Sequence, residues 1–225
     1  MTDVRDTTDG RDPELPGLLL RTERDALIPL LRKLPDEAFA LRTCCPGWTV
    51  RHVLAHCSAA LTRLVEDRFE DGVFSPEAND RDIAERADRA DAAVVDELER
   101  GLTEAGPVIA AAPDGRYDGL ALGEWVHAGD VRDALGEPGA YAGPALAPAL
   151  ELLASVTRSR GALPLHADLD DRDDPLLLGA ATGEHPPARY LGPAATLVRL
   201  YAARPLTGTR YDLAGAKEAD LVLFG

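Results

Sequence analysis

Residues 123–136, GEWVHAGDVRDALG, decide how this chain is read. Placed on a helix at about 100° per residue, Glu124 and His127 share a side with Leu120, Val131 and Leu135. A carboxylate and an imidazole turned into an apolar stripe need partners, because an unpaired buried charge costs more than one hydrogen bond returns. The i,i+3 spacing brings both side chains to one point, and helical bundles hold metal ions with that spacing. A cation between them would remove the burial cost; a buried ion pair or a hydrogen-bonded histidine is the plain alternative. Asp130, one turn beyond His127, is placed to accept the ring N–H that a metal-bound histidine donates. Its alternative is a surface carboxylate paired with Arg132 or Arg51.

Composition sets the bounds around that stretch. The chain has 225 residues, enough for one large domain or two small ones, and 45% are hydrophobic but only 5% aromatic. Ala, Leu, Arg and Asp dominate, a mixture that favours helix. A formal charge of −15 excludes general affinity for nucleic acid or anionic membrane, since phosphates would be repelled. No apolar run is long enough to span a bilayer. The first residues, MTDVRDTTDGRDPE, lack the apolar centre of a signal peptide and read as a disordered tail over 1–14. Three cysteines make no disulfide framework, and the expected compartment is a reducing cytoplasm.

Hydrophobic spacing predicts a first helix over 15–33, kinked at Pro29, and a second from Thr49 as N-cap to about residue 69. A third, highly charged helix is expected over 81–102. Gly106-Pro107 reads as an interruption before a fourth helix over 120–135. Four helices with one inward face each imply an antiparallel four-helix bundle over 15–140. The Gly/Pro-rich EPGAYAGP marks a boundary, and 141–225 reads as a small α+β domain. It comprises a helix from Leu146, strand-like PLHADLD, PLLLGAA, ARYL and ADLVLF, and a helix PAATLVRLYAAR. The fold class is therefore α+β.

The remaining ligand candidates are histidines of the second helix. His56 is the first choice, although it falls roughly 120° from the apolar centre near Val50 and Leu61, at the edge of the bundle core. Such a histidine is also an ordinary helix-surface residue, and His52, one turn earlier, competes with it. Cys57 reads as a core residue. Cys44 and Cys45 lie in a loop without further Cys or His spacing to make a second metal site.

PGWTVRHVLAHC, HAGDVRDALG and RYLGPAATLVRLYAARP, in that order, resemble the successive motifs of the mycothiol-dependent maleylpyruvate isomerase family. That family belongs to the DinB-like metal-binding bundles, and the resemblance runs from about residue 15 to the end. It implies an N-terminal bundle holding a divalent ion, usually zinc, followed by a small C-terminal α/β domain. The helix-two ligand falls on His56 rather than His52, and the helix-four ligand on His127, with Asp130 and Arg132 following it. The family's glutamate ligand stands four residues before that histidine, where this chain has Gly123; Glu124, three residues before, lies on the same helix face. The resemblance further implies that an arginine of the C-terminal part engages the substrate carboxylate, with Arg204 the matching position and Arg189 the runner-up.

The activity implied is metal-assisted thiol chemistry. Mycothiol would be activated to add to a cis-enedioyl acid and leave after rotation, or be transferred to an electrophile. The expected partners are a small-molecule substrate and the thiol, on a monomer or homodimer. The alternatives are a metal-dependent hydrolase or lyase without thiol, and a non-catalytic binding module with a decayed metal site.

Overall fold

A computed structural model describes residues 11–69, 75–180 and 186–224. Among them, α1 (Leu15–Leu31), α2 (Val50–Val65), α4 (Asp91–Ala111) and α5 (Asp118–Ala134) form the bundle, with the short α3 (Pro76–Ala84) beside α2. Around the ring, α1 packs on α4 and α5, and α2 packs on the same two helices. The C-terminal part contributes α6 (Leu146–Ser159), α7 (Ala194–Tyr201) and a four-stranded mixed sheet. Its strands are β1 (Leu165–Leu169), β2 (Leu176–Leu178), β3 (Ala188–Gly192) and β4 (Asp212–Ala214), in the order β2-β1-β3-β4. β1 and β3 are parallel; β2 and β4 flank them antiparallel. α6 touches α1, α5 and β2, and one hydrophobic core runs through both parts of the chain. No described helix is long and apolar enough to cross a membrane.

The start of α2 shows why His52 does not compete for the site. Thr49 accepts the backbone N–H of His52 at 3.3 Å, and the His52 ring accepts the N–H of Thr49 at 3.4 Å, a reciprocal cap. His52 is spent on starting the helix. From Val53 to Leu64 every residue of α2 is buried, because α3, α4 and α5 and the 3-10 turn Asp36–Ala40 surround it. That environment places His56 inside the protein, where an apolar face considered alone puts it at an edge.

Three sequence expectations are corrected. The charged third helix is two helices, broken over 85–90. There the carbonyls of Arg86 and Arg89 accept from the Arg51 guanidinium at 2.7 and 2.5 Å, while the Arg86 side chain turns inward to Glu97 at 2.7 and 2.8 Å. Gly106-Pro107 does not interrupt the chain; both residues lie within α4. Gly106 is where α4 crosses α1, since a Cβ there would come within 2.8 Å of the Gly17 Cα. The segment ADLVLF is not a strand. It forms a 3-10 turn, Glu218–Leu221, and then crosses the end of α7, where Leu223 and Phe224 donate to the Tyr201 carbonyl at 2.8 and 3.3 Å. Of the expected N-terminal tail, residues 1–10 lie outside the described residues. Arg11 is anchored by Asp118 at 2.7 and 2.8 Å.

Candidate functional site

His56 from α2 and His127 from α5 face each other with ring centroids 5.3 Å apart and planes nearly perpendicular. Trp48, in the turn before α2, covers both, at 5.1 Å from His56 and 6.2 Å from His127. His56 is only 8% exposed, and its Nδ1 is buried without a hydrogen-bond partner among the described residues. Burial, aided by the nearby His127, lowers its pKa to about 3, so the ring is neutral near pH 7 and offers a lone pair. His127 Nδ1 lies 3.0 Å from Asp130 Oδ2. Assigning the ring N–H to that contact leaves the lone pair on Nε2.

Asp130 is the hub that fixes this arrangement. Arg204 donates to its two oxygens from Nε and Nη2, each at 2.8 Å, Tyr141 Oη donates at 2.5 Å, and the thiols of Cys44 and Cys45 donate at 3.1 and 3.2 Å. Burial alone would raise its pKa. The hydrogen bonds from His127 and Arg204 outweigh that and hold the carboxyl well below the usual carboxylate range. Burial also raises the Tyr141 phenol, with the Asp130 charge adding to it. The neighbouring Cys44 thiol, burial and Asp130 together raise Cys45. Both groups therefore stay protonated and serve as donors.

Glu124 lines the same cleft, of about 770 Å³, as His56, His127 and Arg204. Burial raises its pKa to about 8, only partly offset by the Cys57 thiol. Among the described residues, three ligand atoms of His, Cys, Asp or Glu come within 4.8 Å of one another only at Cys44, Cys45 and Asp130. His56, Glu124 and His127 share one cleft without closing to that distance. The Cys-Cys-Asp group is a poor cation site despite its proximity, because Arg204 already sits on both Asp130 oxygens. The two histidines and Glu124 suit a divalent ion by donor type: an orphaned imidazole nitrogen, an oriented imidazole and a buried carboxyl with no cationic partner.

Arg132 pairs with Glu23 of α1, a carboxyl that burial raises to about 7 against the pull of Arg132. Arg204 lines the cleft, but its fork is taken by Asp130 and its Nη1 donates to the Ala202 carbonyl at 2.8 Å. Arg189 lies exposed on β3, paired with Asp168 at 3.0 Å, and does not line the cleft.

The pattern of the mycothiol maleylpyruvate isomerase N-terminal domain matches residues 20–137, more than half of the chain. The chain belongs to this isomerase family. Two solved structures have its fold: the mycothiol-dependent maleylpyruvate isomerase, at 17% identity and TM-score 0.54, and a histidine-to-alanine mutant of it, at 18% and 0.55. Each alignment covers 92% of this chain and 96% of the other. A search of curated proteins finds no match.

Gly123 stands where the resemblance implies a glutamate ligand. Gly123 lines the cleft, and a Cβ there would meet nothing nearer than Phe224, at 4.0 Å. A side chain at this position would enter open space in the cleft. Trp48 and Tyr141 lie in turns, where no periodicity marks a facing direction, and the same holds for the Cys pair, read only as a loop lacking metal spacing, which donates to Asp130. The one signal was the run CCPGW, a Pro-Gly turn that carries all but Tyr141.

Proposed function

We propose that this protein is a metal-dependent enzyme that activates mycothiol to isomerise cis-enedioyl acids of the maleylpyruvate type, or to transfer sulfur to a related electrophile. The supporting observation is the facing pair His56 and His127 beside Trp48 in the cleft, one ring orphaned and the other oriented by Asp130. His56, His127 and Glu124 hold the ion, most simply zinc. A bound divalent ion lowers the pKa of a thiol and so supplies thiolate at neutral pH. Asp130 keeps His127 in the tautomer that leaves Nε2 free, and Arg204, Tyr141, Cys44 and Cys45 keep Asp130 ionised and still. Trp48 packs beside both imidazoles and forms the wall of the cleft next to them. Cys45 and Cys57 stay out of the transfer as protonated thiols: burial and then Glu124 raise Cys57, and the neighbouring Cys44 thiol, burial and Asp130 raise Cys45. All three cysteines are free, in keeping with a cytoplasmic enzyme.

Metal analysis tests the proposal. Purified protein is expected to bind one divalent ion, lost in His56→Ala and His127→Ala while the fold is retained. A protein that binds no ion, or binds it equally in both variants, is instead the decayed binding module. The unclosed ligand triad is the observation that favours that second reading. Turnover without any added thiol would instead identify a metal-dependent hydrolase or lyase.

A further inference from the structure

The wall of the cleft carries three arginines, Arg116, Arg160 and Arg204. Arg204 is committed to Asp130 in a fork of two 2.8 Å hydrogen bonds. Arg116 is paired with Asp114 at 3.2 Å and lies over the Tyr117 ring. Arg160 has no carboxylate partner among the described residues, in a chain with 39 acidic side chains to 24 basic ones. Its guanidinium is nevertheless held in place. It lies over the Phe224 ring, 5.5 Å from the centroid, and rests on the first turn of α5, where a Cβ at Gly119 would sit 2.6 Å from its Nη2. Gly119 is therefore the gap the guanidinium occupies, and both Gly119 and Phe224 line the same cleft. A basic residue at the end of α6 would favour the helix dipole from any rotamer, so that role explains neither the gap nor the stacking.

We propose that Arg160 is the anion-recognising residue of the cleft, taking a carboxylate of the electrophilic substrate in a charge-assisted pair. This deepens the reading of the cleft as a thiol-dependent site and rests on it for the identity of the ligand. A guanidinium stacked on an aromatic ring keeps its in-plane N–H fork free and pre-oriented, the geometry that engages a carboxylate through two parallel hydrogen bonds. With the fork of Arg204 engaged by Asp130, Arg160 is the residue through which the acid side of the substrate is distinguished from a neutral electrophile.

Binding of maleate and of its uncharged diamide, maleamide, to the full-length protein tests this by calorimetry without thiol or turnover. Maleate is expected to bind at least tenfold more tightly than maleamide. Arg160→Met is expected to lose at least tenfold in maleate affinity, Arg160→Lys to fall between, and maleamide binding to be unchanged throughout. Gly119→Ala keeps the charge but fills the gap, and is expected to weaken maleate binding without lowering the melting temperature, because alanine suits an α-helix better than glycine. Arg189→Met, on the sheet surface, is the control with wild-type affinity. Equal maleate affinity in wild type and Arg160→Met, or no preference of wild type for maleate over maleamide, overturns the assignment. Metal stoichiometry is read separately, so a protein that binds maleate through Arg160 but holds no ion would leave this assignment standing and remove the thiol reading.

Discussion

Glu124 is the residue on which the proposed metal site turns. Its carboxyl is buried with a pKa near 8, raised by burial from an ordinary 4.5, and no cation among the described residues neutralises it. A carboxyl with a raised folded pKa destabilises the fold as pH rises from its unfolded toward its folded value. Metal-free protein should therefore lose stability between about pH 4.5 and 8 through this group. Glu124→Gln is expected to raise the melting temperature by roughly 5 °C at pH 8.5 and to leave it unchanged at pH 4. Thermal melts at the two pH values, in chelator, check this. His56 works in the opposite sense: its pKa is lowered to about 3, so its contribution is lost as pH falls below about 6.5. One position earlier, Gly123 faces open space in the cleft. Gly123→Glu, which restores the carboxylate four residues before His127, is expected to tighten zinc binding by about tenfold or more, the scale of a ligand-sphere contact. Competition against a chromogenic chelator reads the change. The inward turn of Glu124 and His127 was legible from their spacing alone. Whether Glu124 reaches an ion was not, since helix periodicity gives a side chain's face and not the rotamer that aims its carboxyl at Cys57.

Among the elements, α1 and α4 cross where two glycines meet. A Cβ on Gly106 would lie 2.8 Å from the Gly17 Cα and 3.8 Å from its carbonyl carbon, and backbone cannot retreat as a side chain can. Gly106→Ala is therefore expected to cost about 1–3 kcal/mol by overpacking, despite the better helix propensity of alanine. A denaturant midpoint shifted downward with an unchanged slope would confirm it. The same pair explains why sequence reading broke the chain at Gly106-Pro107. Glycine next to proline is a turn signal in isolation, and here the close approach of another helix is what requires the glycine. Element existence was otherwise legible wherever one apolar face repeats, as in α1, α2, α5 and α7. It failed for 219–224, whose apolar residues cover the end of α7 instead of joining a sheet.

Across the whole molecule, Arg204 ties the C-terminal part to the bundle through a carboxylate that is 0% exposed. Arg204→Met leaves Asp130 with neutral donors and His127. It is expected to destabilise the fold by about 3 kcal/mol, in the range for losing one partner of a buried ion pair. The same loss of second support should weaken metal binding by about 10–100-fold, which chelator competition at a temperature below the melting transition would show. Sequence alone gave Arg204 a substrate-binding role by resemblance. Its partnership with Asp130 spans 74 residues of chain and leaves no local pattern to find.

Cobalt substitution shows whether this cleft holds an ion that binds a thiol. Cobalt-loaded protein titrated with mycothiol should develop a sulfur-to-cobalt charge-transfer band in the near ultraviolet. That band should be absent from His127→Ala. A cobalt-loaded protein whose spectrum does not change on adding thiol would mean that no thiol reaches an ion in this cleft.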